Sequence, residues 1–373
     1  MRPTGKLHLG NYMGALYNWV KLQHEYECYF FIADYHALTT DYADTANLKS
    51  NIREVILDFL AAGLDPAVST LFVQSDVKAH FELHTLLSMI TPLSWLERVP
   101  TYKDQQEQLK EKDLATYGFL GYPLLQSADI LLYKPDYVPV GADQVAHVEL
   151  TREVARRFNQ FFPGEFYLAP NAAPWEMGAI EEKARKLAGD KAKSTFSAHE
   201  LYEAALQTKK LTGFGRCEIL PEPDVLLTPS PKLPGTDGRK MSKSYGNTIL
   251  LSDPEPEIRS KLKTMVTDPA RIRRDDPGNP DVCPVFDLHK VFSTEGTQQK
   301  VREGCTTAGI GCIECKGWLA DAVVEHLKPM QERRRHYEAN FVEVEAILDQ
   351  GAARAAVRAN QTMQEIRNAV GLR

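Results

Sequence analysis

The stretch Cys28-Tyr29-Phe30-Phe31-Ile32-Ala33 is a short, unbroken run of apolar and aromatic side chains that ends at Asp34. Such a run predicts a strand that is buried on both faces, as the strands of a parallel sheet are. A helical pattern over residues 45–62 stops at Gly63, and residues 70–73 predict a second short strand. Strand, helix and strand in this order are typical of a βαβ unit.

The same order of strand, turn and helix returns later in the chain. Residues 137–140 predict a strand, and residues 148–158 predict the helix that follows it. Repeated units of this kind predict an α/β fold, a Rossmann-like doubly wound parallel sheet whose ligands bind at the carboxyl ends of the strands. Asp34, His36 and Gln74 are expected at those ends.

The length of 373 residues predicts two or three domains of about 150 residues each. Residues 1–160 are interpreted as the first half of the Rossmann-like domain. Residues 161–237, with many prolines and charged helical pieces, are interpreted as an insertion or subdomain. Residues 238–252 form a loop and the end of the Rossmann-like domain, and residues 253–373 predict an all-helical C-terminal domain.

Composition narrows the class of protein. The net charge is −6, and 43% of the residues are hydrophobic. No apolar run approaches the roughly 20 residues of a membrane span, and no secretory signal is visible, so a cytoplasmic protein without a membrane anchor is expected. The acidic balance argues against unspecific nucleic-acid binding, and an RNA partner therefore requires local basic patches. Residues 271–274 and 333–335 are basic, although such runs are more often solvated faces.

Gly5-Lys6-Leu7-His8-Leu9-Gly10-Asn11 places a histidine, a glycine and an asparagine at the start of a predicted amphipathic helix. The N-terminus of a helix offers free N–H groups to an anion. Gly10 leaves room for a flat ring or a phosphate on the backbone, and His8 can donate to phosphate oxygens. A tight turn capped by Asn11 explains the same pattern equally well.

Gly238-Arg239-Lys240-Met241-Ser242-Lys243-Ser244 has two lysines three residues apart, with hydroxyl groups beside them. Mobile ammonium groups suit a triphosphate whose charge moves onto a departing pyrophosphate. For this segment alone, an exposed basic loop is the simpler alternative.

Together the two segments resemble the HIGH and KMSKS signatures of class I aminoacyl-tRNA synthetases. Within that class, the chain resembles the bacterial tryptophanyl-tRNA synthetases over nearly its whole length. The similar stretches are Arg2 to Gly5 with His8 to Tyr12, Asp34 to Ala37, Ala128 to Tyr133, and Val140 to Gln144 with His147, Glu149, Leu150 and Arg152. The tyrosine enzyme looks different in the last of these stretches.

The resemblance implies roles for three sets of residues. The implied catalytic residues are His8, Asn11, Lys240 and Lys243. The implied ATP-binding residues are Arg2, Pro3, Thr4, Gly10, Asn11, Gly141, Ala142, Asp143, Lys240, Met241, Ser242, Lys243 and Ser244. The implied tryptophan-binding residues are His36, Tyr122, Gln126, Asp129 and Gln144.

Asp129 is implied to accept a hydrogen bond from the indole N–H, the only polar group of the tryptophan ring. A buried carboxylate that needs this donor rejects phenylalanine, which leaves it unpaired. Without the resemblance, Asp129 is more easily explained as a surface acid of a helix, and residues 126–129 are also compatible with tyrosine recognition.

The implied reaction has two steps. The tryptophan carboxylate attacks the α-phosphorus of ATP and pyrophosphate leaves with Mg2+. The 3'-terminal hydroxyl of tRNA(Trp) then takes the acyl group from the adenylate, and AMP leaves. A homodimer is also implied. Two alternatives stay open, a tyrosyl-tRNA synthetase and a non-enzymatic, nucleotide-binding iron-sulfur regulatory homologue, and the intact His8, Lys240 and Lys243 argue against the second.

Four of the six cysteines lie close together in the sequence. Cys283, Cys305, Cys312 and Cys315 form the pattern C-x21-C-x6-C-x2-C, which fits a tetrahedral zinc or a 4Fe-4S cluster, with unrelated buried cysteines as the alternative. Residues 309–316 resemble the signature of those tryptophanyl-tRNA synthetases that carry a 4Fe-4S cluster. The resemblance therefore implies a structural 4Fe-4S cluster, with zinc as the alternative, and it implies that residues 253–373, which contain this site, form a helical anticodon-binding domain.

The chain departs from the family in two places. The first signature of the family follows a strand, and only seven residues precede His8, so that strand is expected to be missing. The stretch between Phe158 and Lys240 is longer than in compact members of the family, and no function is inferred for it.

Overall fold

The structure, a computed structural model, describes residues 1–100, 102, 115–164, 166–167, 176–189, 195–208, 215–216, 218–228 and 231–373. These residues form two compact units. The first unit combines Met1–Asp76 with Leu227–Ala355, and the second combines Val77–Leu226 with Ala356–Arg373. The fold is α/β with a helical C-terminal region, which confirms the predicted fold class. The domain limits at residues 160, 237 and 252 stay predictions.

The strands are β1 (Cys28–Ile32), β2 (Ser69–Val73), β3 (Tyr137–Val140), β4 (Phe166–Tyr167), β5 (Gly215–Arg216) and β6 (Asp224–Leu227). The helices are α1 (Leu9–Asn11), α2 (Tyr17–Leu22), α3 (Asp34–Asp41), α4 (Leu48–Ala62), α5 (Ala79–Ser88), α6 (Leu93–Glu97), α7 (Tyr117–Leu120), α8 (Tyr122–Leu131), α9 (Val145–Phe161), α10 (Glu176–Ala188), α11 (Ala198–Leu206), α12 (Glu255–Thr264), α13 (Pro284–Phe292), α14 (Glu295–Thr306), α15 (Cys312–Ala339) and α16 (Phe341–Val370). Among the helices described, none is both long and apolar enough to cross a membrane.

The first unit contains the parallel strand pair that the sequence predicts. Cys28 lies opposite Ser69 and Ile32 lies opposite Val73. In the sequence, α4 lies between the two strands. Every residue of α4 from Val55 to Ala62 is buried, and the helix ends at Gly63, which has a φ of +108°. Glycine adopts this left-handed conformation without strain, which explains why the helix stops there.

The helices of the first unit pack around α15, which contacts α4, α12 and α13. Their shared core contains Phe59, Leu262, Leu288 and Leu319, all fully buried. Burying a side chain of this size stabilises a fold by about 1.5–3 kcal/mol.

Gly351 of α16 lies directly on the backbone of β2. A Cβ atom at this position would lie 1.8 Å from the carbonyl oxygen of Leu71. No other residue fits without displacing the helix, so glycine is what allows α16 to approach the strand.

In the second unit, α8 packs against both α5 and α9. The predicted insertion has its own small core, where α10 and α11 meet through Ile180, Ala184, Ala204 and Ala205. Next to them β4 pairs with β5 in antiparallel orientation, and elsewhere in the unit β3 pairs with β6.

Candidate active site

His8 is the N-cap of the first helix. Its Nδ1 accepts a hydrogen bond from the Asn11 N–H at 3.2 Å, and Asn11 Oδ1 accepts one from the His8 N–H at 3.2 Å. This reciprocal capping box fixes the imidazole ring on the backbone. The cap considered from the sequence is thus present, with His8 rather than Asn11 as the capping residue.

The His8 ring is neutral at neutral pH. Burial, together with the positive charges of Lys243 and Lys240, lowers the pKa of His8 to about 4. Because Nδ1 accepts a hydrogen bond, the ring proton is on Nε2. A neutral imidazole with an Nε2–H group can donate to a phosphate oxygen.

Gly10 packs between the two signatures. A Cβ atom at Gly10 would lie 2.9 Å from His8 Nδ1 and 3.6 Å from Met241 Cβ. Any larger residue would push the His8 ring out of its cap, so glycine is needed here whether or not a nucleotide binds.

Lys243 joins the second signature to the first. Its ammonium group donates to the carbonyl oxygens of Thr4 and Gly5, both at 2.9 Å, and to the Thr4 hydroxyl at 3.3 Å. Burial lowers the pKa of Lys243, and the negative charge of Asp58 opposes this effect. The structure therefore brings together two segments that are more than 200 residues apart in the sequence. Lys240, by contrast, is exposed.

Asn247 shapes the second signature and was not identified from the sequence. Its buried side-chain amide donates to Asp237 Oδ1 at 2.7 Å and to the Lys240 carbonyl at 3.2 Å. Its Oδ1 accepts a hydrogen bond from the Ser242 N–H at 2.8 Å. Ser242 and Ser244 bond to each other through their hydroxyl groups at 2.9 Å. One amide side chain thus ties the middle of the loop at residues 238–244 to Asp237, the residue before it.

Arg2, Pro3 and Thr4 lie beside α3 in the first unit. The Arg2 guanidinium contacts Thr40 and lies 3.4 Å from the Asp41 carboxylate. Pro3 and Thr4 line a cavity of about 270 Å3. The segment that the resemblance assigns to ATP therefore borders an open space.

The carboxyl ends of β1 and β2 are tied together by buried polar side chains. Asp34 Oδ1 accepts a hydrogen bond from the Ser75 N–H at 3.1 Å, and Gln74 Oε1 accepts one from the Tyr35 N–H at 3.1 Å. His36 follows in α3 and is buried. Asp34, His36 and Gln74 thus lie at the strand ends, where the sequence predicts them.

In the second unit, α8 presents three of the five predicted tryptophan-binding residues on one face. Tyr122, Gln126 and Asp129 lie at positions i, i+4 and i+7, which share a helix face. Tyr122 and Asp129 are buried and Gln126 is half-buried.

Asp129 forms a buried chain with two residues that sequence reasoning missed. Asp129 Oδ1 lies 2.7 Å from His80 Nδ1, and His80 Nε2 lies 2.8 Å from the Tyr133 hydroxyl. His80 is fully buried in α5. The sequence around His80 is mixed in polarity and gives no local signal that this histidine is buried beside a carboxylate.

The turn between β3 and α9 carries four more predicted residues. Gly141 is extended, and Ala142–Gln144 form a short 3-10 turn. The Gln144 side-chain amide donates to Asp143 Oδ2 at 3.2 Å. Asp143 is exposed, so its carboxylate is accessible to a ligand.

The four cysteines predicted to bind a metal lie in one region of the first unit. Within the described ranges, no three or more histidine, cysteine, aspartate or glutamate side chains are arranged to hold a metal ion, so the predicted site is not present as a formed ligand group. The thiols nevertheless interact. Burial raises the pKa of Cys315 to about 12, and the charges of Cys283, Cys305 and Cys312 also raise it.

Arginine side chains of both basic runs bind other segments of this protein. Arg271 donates to the Ile310 carbonyl at 2.7 Å, and Arg274 donates to the Gly309 carbonyl at 3.1 Å. Arg333 donates to the Ala61 carbonyl at 2.8 Å, and Arg334 is buried among carboxylates. Neither run is simply a solvated face, because each holds other segments of the chain in place.

Comparison with known proteins identifies the family. The family model for class I tRNA synthetases of W and Y matches residues 1–178 and 190–328. A tryptophan--tRNA ligase of Ralstonia nicotianae is 49% identical, with 100% of this chain and 97% of the relative covered. The tryptophan--tRNA ligase of Thermotoga maritima is 46% identical, with 100% and 98% covered.

A solved structure agrees with these relatives. The crystal structure of tryptophanyl-tRNA synthetase from Campylobacter jejuni, complexed with ADP and tryptophan, has a TM-score of 0.77 and 31% identity and covers 100% of this chain and 98% of that chain. The matches favour tryptophan over the tyrosyl and regulatory alternatives. The chain belongs to the tryptophan–tRNA ligases, within the class I aminoacyl-tRNA synthetases.

Proposed function

We propose that this chain activates tryptophan with ATP and transfers it to tRNA(Trp), using the residues of the two signatures and of α8. The observation that carries this proposal is the contact of Lys243 with Thr4 and Gly5, which brings the second signature to within a few residues of His8. A triphosphate bound between the two signatures contacts both the Nε2–H group of His8 and the ammonium group of Lys243.

The ATP contacts are assigned from the family resemblance, to both signatures in the first unit and to the β3–α9 turn in the second unit. His8 and Asn11 face the phosphates, and Gly10 allows the nucleotide to approach the backbone. Lys240 and Lys243 follow the pyrophosphate as it leaves, together with Met241, Ser242 and Ser244 of the same loop. These groups act by positioning and by stabilising charge, and no covalent enzyme intermediate is needed. Mg2+ bound by the phosphates neutralises part of their charge.

Lys243 has to exchange partners during this reaction. In the structure its ammonium group is bound to neutral carbonyl oxygens, which are weaker acceptors than phosphate oxygens. Phosphate therefore competes well for it, and the second signature can follow the charge onto pyrophosphate.

The remaining ATP contacts are assigned in the same way. Arg2, Pro3 and Thr4 border the nucleotide on one side. Gly141 and Ala142 pack close to it, and the exposed Asp143 carboxylate accepts from the ribose hydroxyls.

The tryptophan site uses the shared face of α8. Asp129 accepts a hydrogen bond from the indole N–H, and His80 holds the carboxylate in place from behind at 2.7 Å. Tyr122, Gln126 and Gln144 contact the ammonium and carboxylate of the amino acid, and the family resemblance also assigns His36 of the first unit to tryptophan binding. A buried acceptor that needs an N–H donor selects for tryptophan against phenylalanine.

The same proposal covers the setting of the reaction. The partners are tRNA(Trp), tryptophan and ATP, and the active form is a homodimer. Because tRNA charging occurs where translation takes place, the location is the cytoplasm.

Crossed binding measurements test the assignment of the two sites. Titration calorimetry with tryptophan and with a non-hydrolysable ATP analogue is carried out on the wild type, on His8→Ala and on Asp129→Ala. We expect His8→Ala to weaken only the nucleotide and Asp129→Ala to weaken only tryptophan, each by about tenfold or more for a charge-assisted contact. Loss of both ligands in both variants, with unchanged melting temperatures, would contradict the assignment.

We further propose that Cys283, Cys305, Cys312 and Cys315 hold a structural 4Fe-4S cluster. The donor set fits such a cluster in its chemistry, because four cysteine thiolates are the usual ligands of a 4Fe-4S cluster. A positive charge lies beside them, since Arg271 NH1 is 3.7 Å from Cys305 Sγ. Among the residues that the structure describes, none accepts a hydrogen bond from the buried Nε of Arg271, which suits a nearby anionic group.

Metal analysis and the visible spectrum test this second proposal. Protein prepared without oxygen is expected to contain iron and sulfide and to absorb broadly near 400 nm, and Cys312→Ser is expected to lose both. Zinc at one equivalent with no visible band would favour the alternative, and protein with neither metal would refute both. Cys28→Ser is the matched control, because Cys28 is a thiol outside the cluster.

A further inference from the structure

A buried carboxylate of α4 plays no part in the mechanism above. Asp58 is fully buried and lies between the core residues Leu57 and Phe59. An ionised carboxylate at such a position costs several kcal/mol unless it is paired and hydrogen-bonded. Its partners therefore indicate why the fold tolerates it.

Each oxygen of Asp58 has a distinct partner. Oδ1 accepts from the guanidinium of Arg334, and Oδ2 accepts from the Leu7 N–H at 2.7 Å. Burial raises the pKa of Asp58 to about 6, although Arg334 and the Leu7 N–H both favour the ionised form. The carboxylate thus bridges a long C-terminal helix and the residue that directly precedes His8.

Arg334 is itself buried and held from several sides. It lies in α15, contacts Glu54 and donates from Nε to Glu338 at 2.7 Å. Glu54 and Asp58 are four residues apart on α4, so both face the same side of that helix. The cluster therefore has a fixed geometry that neither α4 nor α15 provides alone.

The Leu7 segment is aligned by three backbone contacts. The Leu7 carbonyl accepts from the Leu251 N–H at 2.9 Å, and the Leu9 N–H donates to the Ile249 carbonyl at 3.0 Å. The Asp58 carboxylate is the acceptor for the Leu7 N–H. Removing that acceptor leaves a buried N–H unpaired at the residue before His8 and removes the negative charge that stabilises Lys243.

We propose that Asp58 and Arg334 are positioning residues for the activation of the amino acid: together they hold the first signature in register and connect it to α15. Neither residue touches the substrate. The inference rests on the nucleotide-binding role proposed for His8 and Lys243. The Arg334–Asp58–Leu7 contacts connect α15 to the first signature, so a displacement of α15 also displaces the residues proposed to bind ATP.

The test separates positioning from stability. In the double variant Asp58→Leu/Arg334→Met, apolar side chains of similar size replace the ion pair, and such replacements are often neutral or stabilising. Because the Leu7 N–H loses its acceptor, we expect a folded variant whose melting temperature is a few degrees below that of the wild type. We also expect kcat/KM for ATP in tryptophan-dependent pyrophosphate exchange to fall by about 10- to 100-fold, with KM for tryptophan within about twofold.

Two further variants keep the test decisive. Asp58→Asn retains an oxygen for the Leu7 N–H and loses the charge, so it should lose less activity than the double variant. Glu338→Gln changes only an outer, half-exposed partner of Arg334 and should behave like the wild type.

Wild-type exchange activity in both Asp58→Asn and the folded double variant would overturn the positioning role while leaving the proposed function intact. If the double variant does not fold, equal kcat/KM for ATP in Asp58→Asn and the wild type overturns it. Absence of exchange in the wild type would instead remove the proposed function, and this inference with it.

Discussion

Lys243 offers the sharpest test of the proposed chemistry. Its ammonium group makes three hydrogen bonds to Thr4 and Gly5 in the structure and has to move onto pyrophosphate during activation. Loss of one donor that acts on developing charge costs about 2.7–4 kcal/mol in the transition state, which corresponds to a rate loss of about 100- to 1,000-fold. Lys243→Ala should therefore form the adenylate about 100- to 1,000-fold more slowly.

Tryptophan affinity in this variant should stay within about twofold of the wild type, because the lysine has no role in holding the amino acid. The assay is single-turnover adenylate formation with saturating tryptophan, combined with equilibrium binding of tryptophan. Lys232→Ala is the matched control, because Lys232 is an exposed lysine outside the signature. A Lys243→Ala enzyme with a normal rate of adenylate formation would refute the reasoning.

Three other predictions follow from contacts in the structure. In steady-state exchange, His80→Ala should raise KM for tryptophan by about tenfold and leave KM for ATP unchanged, because His80 holds the Asp129 carboxylate. Tyr133→Phe should have a smaller effect. Equal effects on both substrates would contradict the role given to His80. Because His8 has a pKa of about 4 in the fold and about 6.5 when unfolded, the unfolded chain binds a proton first, and stability falls as the pH drops from about 6.5 towards 4. Unfolding titrations should show that the wild type loses about 1–2 kcal/mol relative to His8→Gln between pH 7 and pH 5, and parallel curves would exclude this. Gly351→Ala should lower the free energy of unfolding by at least about 1–3 kcal/mol, because the new Cβ clashes with the Leu71 carbonyl. Gly317→Ala, at an open helical position, should leave it unchanged. Equal melting temperatures of the two variants would show that α16 can shift freely.

Local patterns in the sequence were sufficient for much of the fold. The apolar run that became β1 and the glycine that ends α4 act over a few neighbouring residues, so their effect is visible without tertiary structure. The helix limits differ from the prediction. α4 begins at Leu48 rather than at residue 45, and α9 spans Val145–Phe161, which extends beyond both ends of the predicted range 148–158. Fraying and packing set these ends, and neither has a local signal.

The candidate site was predictable where it forms motifs. The two signatures pointed to His8 and Lys243, but the contact between them depends on residues more than 200 positions apart. The same is true of Asp58, whose partner Arg334 is 276 residues away. A carboxylate inside an apolar helix face could have indicated that a buried partner exists, but not which residue it is.

The basic run at residues 333–335 shows the limit of composition. As a sequence it suggests a solvated or RNA-binding face, yet Arg334 is almost fully buried. Its charge is balanced by carboxylates from two different helices, and this arrangement exists only in the folded unit.

The most direct test of the central claim is ATP–pyrophosphate exchange measured side by side with tryptophan and with tyrosine. The account predicts exchange that depends on tryptophan, with the rate with tyrosine lower by a factor of about 100 or more, because the smaller phenol ring leaves part of an indole-sized pocket unfilled and places its O–H away from the position of the indole N–H. Equal exchange with both amino acids, or exchange with tyrosine alone, would contradict it.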